Sequence, residues 1–270
     1  GQKDQAKAIS RPHRDIYDSA QYPLHIVQMD HTRSDIVVVY EDTRKPWGRP
    51  WITLAIDCRT RMIVGFYIRM AAPSGLAANM CLAMGMLPKA EYLEKLGVKG
   101  HWPVYGGLTK VHCDNAKEFK GETMKKALDQ YEIDLVLRPV KQPEYGGHIE
   151  RMIGNINAEL HKKPGTTFSN PTQRGDYNSK DRSAMTLREL EADIVDWIVN
   201  QYHLRLHSFL KMPPIKRWEL DILGDGKTIG IGLPKPPANP EQFKLDFMPH
   251  EMRSVQNYGI AFGKKKYYHE

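Results

Sequence analysis

The feature that most limits how this chain folds is a change of hydrophobic period near residue 74. Before it, apolar runs rich in β-branched residues lie at 24–30, 35–40, 51–57 and 61–68. The last two are joined only by Cys58-Arg59-Thr60, a hairpin-sized connection. Neighbouring strands with short links give an antiparallel start, because a parallel pair needs a crossover of about a dozen residues or more. After it, Leu76, Met80, Ala83, Met84 and Leu87 recur at helical spacing over 74–87. A short strand at 110–113 then runs into Asp114. An amphipathic helix is expected over 118–131, a strand over 133–137 closed by Arg138-Pro139, and a helix over about 147–162. Strands first, then strands alternating with helices, predict an α/β domain with a mixed sheet covered by helices.

The rest of the chain is punctuated by turn residues. Residues 164–179 are rich in Gly, Pro, Ser, Thr and Asn and read as a long loop. Thr186-Leu187-Arg188-Glu189 is a capping box opening a helix with Leu187, Leu190, Ile194, Trp197 and Ile198 on one face. Gly and Pro crowd 222–243, and strand-like residues return at 253–262 and 264–268. The expected division is a basic arm at 1–21 (Lys3, Lys7, Arg11, Arg14), a core at 22–221, a linker at 222–243 and a small β module at 244–270. That module is too short for a complete barrel.

Composition narrows the function less sharply. Lys plus Arg number 39 against 32 acids, a net charge of +7 that suits a polyanionic partner. Three cysteines (Cys58, Cys81, Cys113) without CxxC spacing argue against a disulfide framework or a zinc finger and for reduced thiols. No apolar run approaches the length of a membrane helix, so no membrane role is expected. The chain opens on Gly1 rather than Met, as expected of a processed chain or a fragment.

Three acids stand where strands end or a helix begins: Asp30, Asp114 and Glu150, the last two separated by 35 residues. With 32 acids in 270 residues, about one Asp-to-Glu pair at any fixed spacing arises by chance, so the setting must carry the argument. On the helix that bears Glu150, Ile149, Met152, Ile153, Ile156 and Leu160 form an apolar stripe at 100° per residue. Glu150 lies at its edge, with Gly154, Asn157 and His161 close to its direction. Converging carboxylates repel one another unless cations are present, and hard oxygen ligands select Mg²⁺ or Mn²⁺. Read singly, each acid is a turn residue or a solvated helix acid; read together, they predict a metal-binding catalytic triad.

These residues resemble the integrase core of the retroviral-integrase superfamily, with its Asp, Asp-35-Glu pattern. The nearest likeness is to bacterial transposases related to phage Mu transposase and of the TnsB and TniA type. It rests on Gln28-Met29-Asp30-His31-Thr32, on 49–57, on Thr60-Arg61-Met62-Ile63-Val64-Gly65, on Val111-His112-Cys113-Asp114-Asn115 and on Gly147-His148-Ile149-Glu150-Arg151. The stretch from Leu160 through Pro164-Gly165-Thr166-Thr167 to Tyr202-His203 and Trp218 adds to it. Val255-Gln256-Asn257-Tyr258-Gly259 resembles the start of the subgroup's C-terminal β-barrel. The likeness spans about 22–268 and departs at Ala116, where Gly is common, and at Gly154 and Asn157, where retroviral enzymes tend to have lysines.

The resemblance implies an RNase H-like five-stranded mixed sheet flanked by helices, then a partial C-terminal β-barrel. It implies a DNA transposase of the DDE class: a polynucleotidyl transferase that cleaves transposon ends and transfers the 3′-OH to target DNA. Asp30, Asp114 and Glu150 would hold two Mg²⁺ ions, with Mn²⁺ able to substitute. The implied partners are transposon-end and target DNA, further copies of the chain on DNA, an AAA+ regulator ATPase and other transposition proteins. The implied location is cytoplasmic, with the bacterial nucleoid. Candidate DNA contacts are Arg151, Asn157, His161 and the run Lys264, Lys265 and Lys266. Asp57 is read as a hairpin-turn residue, and His203 and His207 as packing or DNA contacts rather than a metal pair. Two rival readings are an RNase H-like nuclease that does not join strands and a DNA-binding assembly protein with a dead core.

Overall fold

The computed structural model describes residues 20–116, 121–138, 147–167, 178–248, 254–257, 259–262 and 265–268. The basic stretch 1–19 and Lys264 lie outside them. In chain order the elements are β1 (Ile26–Arg33), β2 (Val38–Val39), β3 (Pro46–Gly48), β4 (Trp51–Asp57), β5 (Ile63–Arg69), α1 (Gly75–Met86), α2 (Ala90–Leu96), β6 (Lys110–Cys113), α3 (Glu122–Gln130) and β7 (Asp134–Leu137). They continue with α4 (Gly147–Leu160), α5 (Leu187–Trp197), a π-helical turn (Ile198–Tyr202), α6 (Pro214–Leu223), α7 (Pro240–Asp246), β8 (Ile260–Phe262) and β9 (Lys265–Tyr267).

Five strands form one sheet in the order β5-β4-β1-β6-β7. The pairs β1–β4 and β4–β5 are antiparallel, and β1–β6 and β6–β7 are parallel. The split follows from the connections. A tight turn joins β4 to β5, whereas helices intervene between β5 and β6 and between β6 and β7. This is the RNase H-like mixed sheet that the resemblance implies. The strand expected over 35–40 shrinks to β2, which pairs with β3 in a separate ribbon.

Asp57 fixes the β4–β5 turn. One carboxylate oxygen accepts from the Leu24 amide at 3.0 Å; the other accepts from the Thr60 amide at 2.9 Å and its hydroxyl at 2.6 Å. Arg61 takes a left-handed φ of 63°, so β5 starts at Ile63 rather than at 61. The turn role expected for Asp57 is the one it has.

α1 is apolar on nearly every side and lies on β4 and β5, as a helix buried between layers must. Its close approach depends on Gly65, where a Cβ would come 2.2 Å from the Cys81 carbonyl oxygen. Gly65→Ala is therefore expected to push α1 off the sheet and to lower unfolding stability by about 1–3 kcal/mol in a denaturant titration.

On the opposite face, α4 buries Ile149, Met152, Ile156 and Leu160 against β1 and β4. The capping box at α5 is complete: the Glu189 amide donates to Thr186 Oγ1 at 3.2 Å, and the Thr186 amide donates to Glu189 Oε2 at 2.7 Å. α5 then runs into the π turn, which delivers His203 to the core. His203 is fully buried, edge-on to Trp102, and its Nε2 accepts the Ile63 amide at 3.0 Å. That bond requires Nε2 to carry no proton, and burial pulls the His203 pKa down to about 3.

A depressed histidine pKa contributes stability that is present above about 6.5 and lost as pH falls below it. Relative to His203→Gln, which keeps an acceptor for Ile63, the native chain should lose about 2 kcal/mol of stability between pH 7 and pH 5. Denaturant titrations of both proteins at the two pH values measure this difference, and parallel curves would contradict it.

The C-terminal part differs from the expected linker and module. Asn239 caps α7 by accepting the Gln242 amide at 3.0 Å, and Pro240 stands in its first turn. Phe243 and Phe247 join the main core beside Tyr131, and the Phe247 carbonyl accepts from Asn79 Nδ2 at 2.8 Å. Thus chain assigned to the linker and to the start of the β module covers α1 and α3. Beyond it, the described residues of the module form the β8–β9 hairpin. No helix among the described residues is long and apolar enough to cross a membrane.

Candidate active site

The parallel register of β1 and β6 places Val27 beside Val111 and Gln28 beside His112. Continued by two residues, it sets Asp30 beside Asp114, on the face that Gln28 and His112 share. Gln28 is fully buried on that face, and its Oε1 accepts the Ile149 amide at 3.2 Å. This bond moors the first turn of α4, with Glu150, beside the end of β6 and beside Asp30, which lies within β1 rather than at the strand end expected, because β1 runs on to Arg33 against β4. Asp114 ends its strand by accepting the Ala116 amide at 3.1 Å, a turn that Asp favours.

A cation completes the arrangement. Arg138 follows β7, its amide donating to the Cys113 carbonyl at 2.8 Å, so it stands at the end of the strand next to β6. Arg138 Nη2 donates to Asp30 Oδ2 at 3.1 Å, and Nη1 lies 3.6 Å from Glu150 Oε1. The Arg138 side chain is 9% exposed, Asp30 20% and Glu150 51%. The guanidinium thus links a half-buried carboxylate to an open one.

Burial pushes the Asp30 carboxyl above the usual range. Arg138 and the His31 amide (2.7 Å to Oδ1) pull it down, while the charge of Asp114 raises it. A desolvated carboxylate facing a second one attracts positive charge.

The structure brings Asp30 and Asp114 together directly and joins Glu150 to Asp30 through Arg138. Among the described residues, no three His, Cys, Asp or Glu side chains are grouped closely enough to hold a metal as they stand. The donor chemistry nevertheless fits an oxygen-seeking divalent cation: the charge of Asp114 acts on Asp30, and Arg138 bridges Asp30 to Glu150, so Asp30 is already poised against a cation.

The other candidates are dispersed. Arg151 is exposed on α4, facing away from the core. Asn157 is half-buried, and its Oδ1 has no hydrogen-bond partner among the described residues. His161 Nε2 lies 3.0 Å from Asp35 Oδ2, and Asp35 also takes Arg49 Nη2 at 2.6 Å, so His161 is engaged within the fold. Lys265 and Lys266 are exposed on β9. His207 Nδ1 faces the Leu210 amide at 3.4 Å, apart from the buried His203. The three cysteines are free and buried, and burial raises each thiol pKa. Sequence reasoning missed Gln28 and Arg138 as site residues. The available signals were a polar residue inside an apolar strand and an arginine closing one.

A five-stranded mixed sheet with one acid within its central strand β1, one directly after β6 and one in the first turn of α4 defines an RNase H-like core with acids gathered beside the end of β6. The family model of the TnsB C-terminal domain matches residues 28–165, half of the chain and the stretch that holds all three acids. The chain belongs to this family. It is 26% identical over 247 residues to the transposase for transposon Tn552 of Staphylococcus aureus, covering 91% of this chain and 46% of that protein. It is 25% identical over 249 residues to the transposition protein TnsB of transposon Tn7 from Escherichia coli, covering 86% of this chain and 34% of that one. The chain thus spans less than half the length of either relative. Among solved structures it is similar to the BIV integrase catalytic core (12% identity, TM-score 0.40, 72% of this chain and 93% of that chain). It is also similar to the HTLV-2 integrase catalytic core in complex with magnesium (13%, 0.40, 73% and 97%).

Proposed function

We propose that this chain is the catalytic core of a DDE-class DNA transposase, cleaving transposon ends and transferring the 3′-OH to target DNA. The observation that carries the reading is the gathering of Asp30, Asp114 and Glu150 beside the end of β6 in a member of the TnsB C-terminal domain family. Asp30, Asp114 and Glu150 would hold two Mg²⁺ ions, with Mn²⁺ as a substitute. When bound, such a pair stabilises both the entering and the leaving oxygen of an in-line displacement at phosphorus.

The chain's own residues supply position. Gln28 fixes the start of α4 and therefore the reach of Glu150. The β1–β6 pairing, continued past Cys113, sets Asp30 against Asp114, and Arg138 holds Asp30 and Glu150 to one another. Glu150, half-exposed on the outer side, faces the entry side for DNA.

The proposed partners are transposon-end and target DNA, other copies of this chain on DNA, and an AAA+ regulator. The exposed Lys265 and Lys266 suit the DNA backbone, and so does the net charge of +7. The test is a joining assay: purified protein, labelled candidate end duplexes, a target plasmid and Mg²⁺. The reading predicts labelled ends covalently joined to the plasmid. Cleavage without joining would favour the nuclease, and neither activity despite DNA binding would favour the assembly protein.

A further inference from the structure

A second polar feature lies on α4, away from the acids. A cavity of about 20 Å³ opens between α4, the β4–β5 turn and the segment after the π turn. Its polar lining among the described residues is Arg61, His148, Arg151, Asn155, Tyr202 and His207, with no carboxylate among them. Arg61 is buried, donates from Nη1 to the Cys58 carbonyl and lies 5.1 Å from the Phe209 ring, so its charge is fixed in place. Arg61 and Arg151 act electrostatically on both imidazoles, and Arg205 adds to the field at His207.

Positive groups gathered at a semi-buried point repel one another unless an anion offsets them. The cavity has room for about one water-sized group, hence for one oxygen of an oxyanion. The remainder of such an anion would sit at the mouth beside the exposed Arg151, whose planar fork matches phosphate. The first turn of α4 adds its positive end. At 100° per residue, His148, Arg151 and Asn155 share one stripe, and Glu150 lies about 100–160° round the helix from it.

We propose that this cavity binds one backbone phosphate of the DNA strand that crosses the first turn of α4, separate from the phosphate that reacts at the acids. The inference rests on the DNA-transposase reading for its ligand. It accounts for the positive lining and for a cavity sized to a single oxyanion oxygen. The same chemistry would admit free inorganic phosphate, so the test carries an arm for each source.

Affinity for a fluorescent 30-base-pair duplex is measured from 50 to 200 mM salt for the native chain, Arg151→Gln and His207→Gln. Melting curves check the fold of each protein. One lost phosphate contact lowers the log–log salt slope by about 0.9, so the affinity ratio across that salt range should shrink about three-fold in Arg151→Gln. His207→Gln removes no charge, so it should weaken binding at every salt concentration without changing the slope, and Arg151→Lys should restore the slope. An unchanged slope in folded Arg151→Gln, or an unchanged affinity in folded His207→Gln, overturns the proposal. So does inorganic phosphate raising the melting temperature of the native chain alone while the slopes stay equal, since the site would then take free anion and not DNA. If the native chain binds no duplex at any salt, the underlying transposase reading fails with it. Duplex binding with unchanged slopes removes only the cavity's role.

Discussion

Glu150→Gln, Asp30→Asn and Asp114→Asn are each expected to reduce end cleavage and strand joining by at least about a thousand-fold while DNA affinity holds or rises. The loss follows from charge. The amides keep size and hydrogen bonding, but each removes one negative charge from a site that must hold divalent cations near a phosphodiester. Affinity holds because a charge that repels the phosphate has gone. The fold is expected to survive, and Asp30 shows why. Its carboxyl pKa is raised, chiefly by burial. A raised carboxylate contributes stability that is present at low pH and lost as pH rises through the folded pKa. The ionised Asp30 therefore costs stability at neutral pH, and Asn, which never ionises, removes that cost. Cleavage and joining in Mg²⁺, with binding and melting measured in parallel, check this. Near-normal chemistry in any one variant would remove that residue from the site.

Arg138→Gln should separate two effects that a mere strut of β7 would not. The guanidinium orients Glu150 toward Asp30, and loss of such a supporting group typically costs about 10–100-fold in activity. It also brings a positive charge within 3.1 Å of Asp30, where it competes with any bound cation. The rate at saturating Mg²⁺ should therefore fall by about 10–100-fold, while the Mg²⁺ concentration for half-maximal rate also falls. A metal titration of cleavage by both proteins checks the split. Equal rates and equal metal requirements would reduce Arg138 to a packing residue, and a higher metal requirement would reverse the electrostatic argument.

Local pattern carried the parts of the fold that local forces decide. The period change near residue 74 located the antiparallel start and the helices that follow it, and the α4 stripe showed which side of Glu150 faces the core. The Thr186–Glu189 box and the Asp57 turn are short-range hydrogen-bond devices, legible because both partners lie within three residues. Arg138 was illegible as a site residue because its meaning depends on β7 lying beside β6, a pairing that no local signal encodes. Gln28 depends likewise on α4 crossing β1 from 121 residues away. The α7 helix was readable in principle: Asn239 followed by Pro240 is a helix-start signal, overshadowed by the density of Gly and Pro around it. Pro214 is likewise a helix-start signal, standing in the first turn of α6.

Whether Asp30 of β1, Asp114 after β6 and Glu150 of α4 form one cation site is tested by iron-mediated backbone cleavage, without any transposon end. Fe²⁺ replaces Mg²⁺ in the purified chain, ascorbate and peroxide generate hydroxyl radicals at the bound ion, and the cut positions are mapped by mass spectrometry. Cuts are expected to cluster around residues 30, 114 and 150, to be suppressed by excess Mg²⁺ and to be lost in Asp30→Asn. Cuts elsewhere, or a pattern that neither Mg²⁺ nor Asp30→Asn changes, would contradict a single cation site.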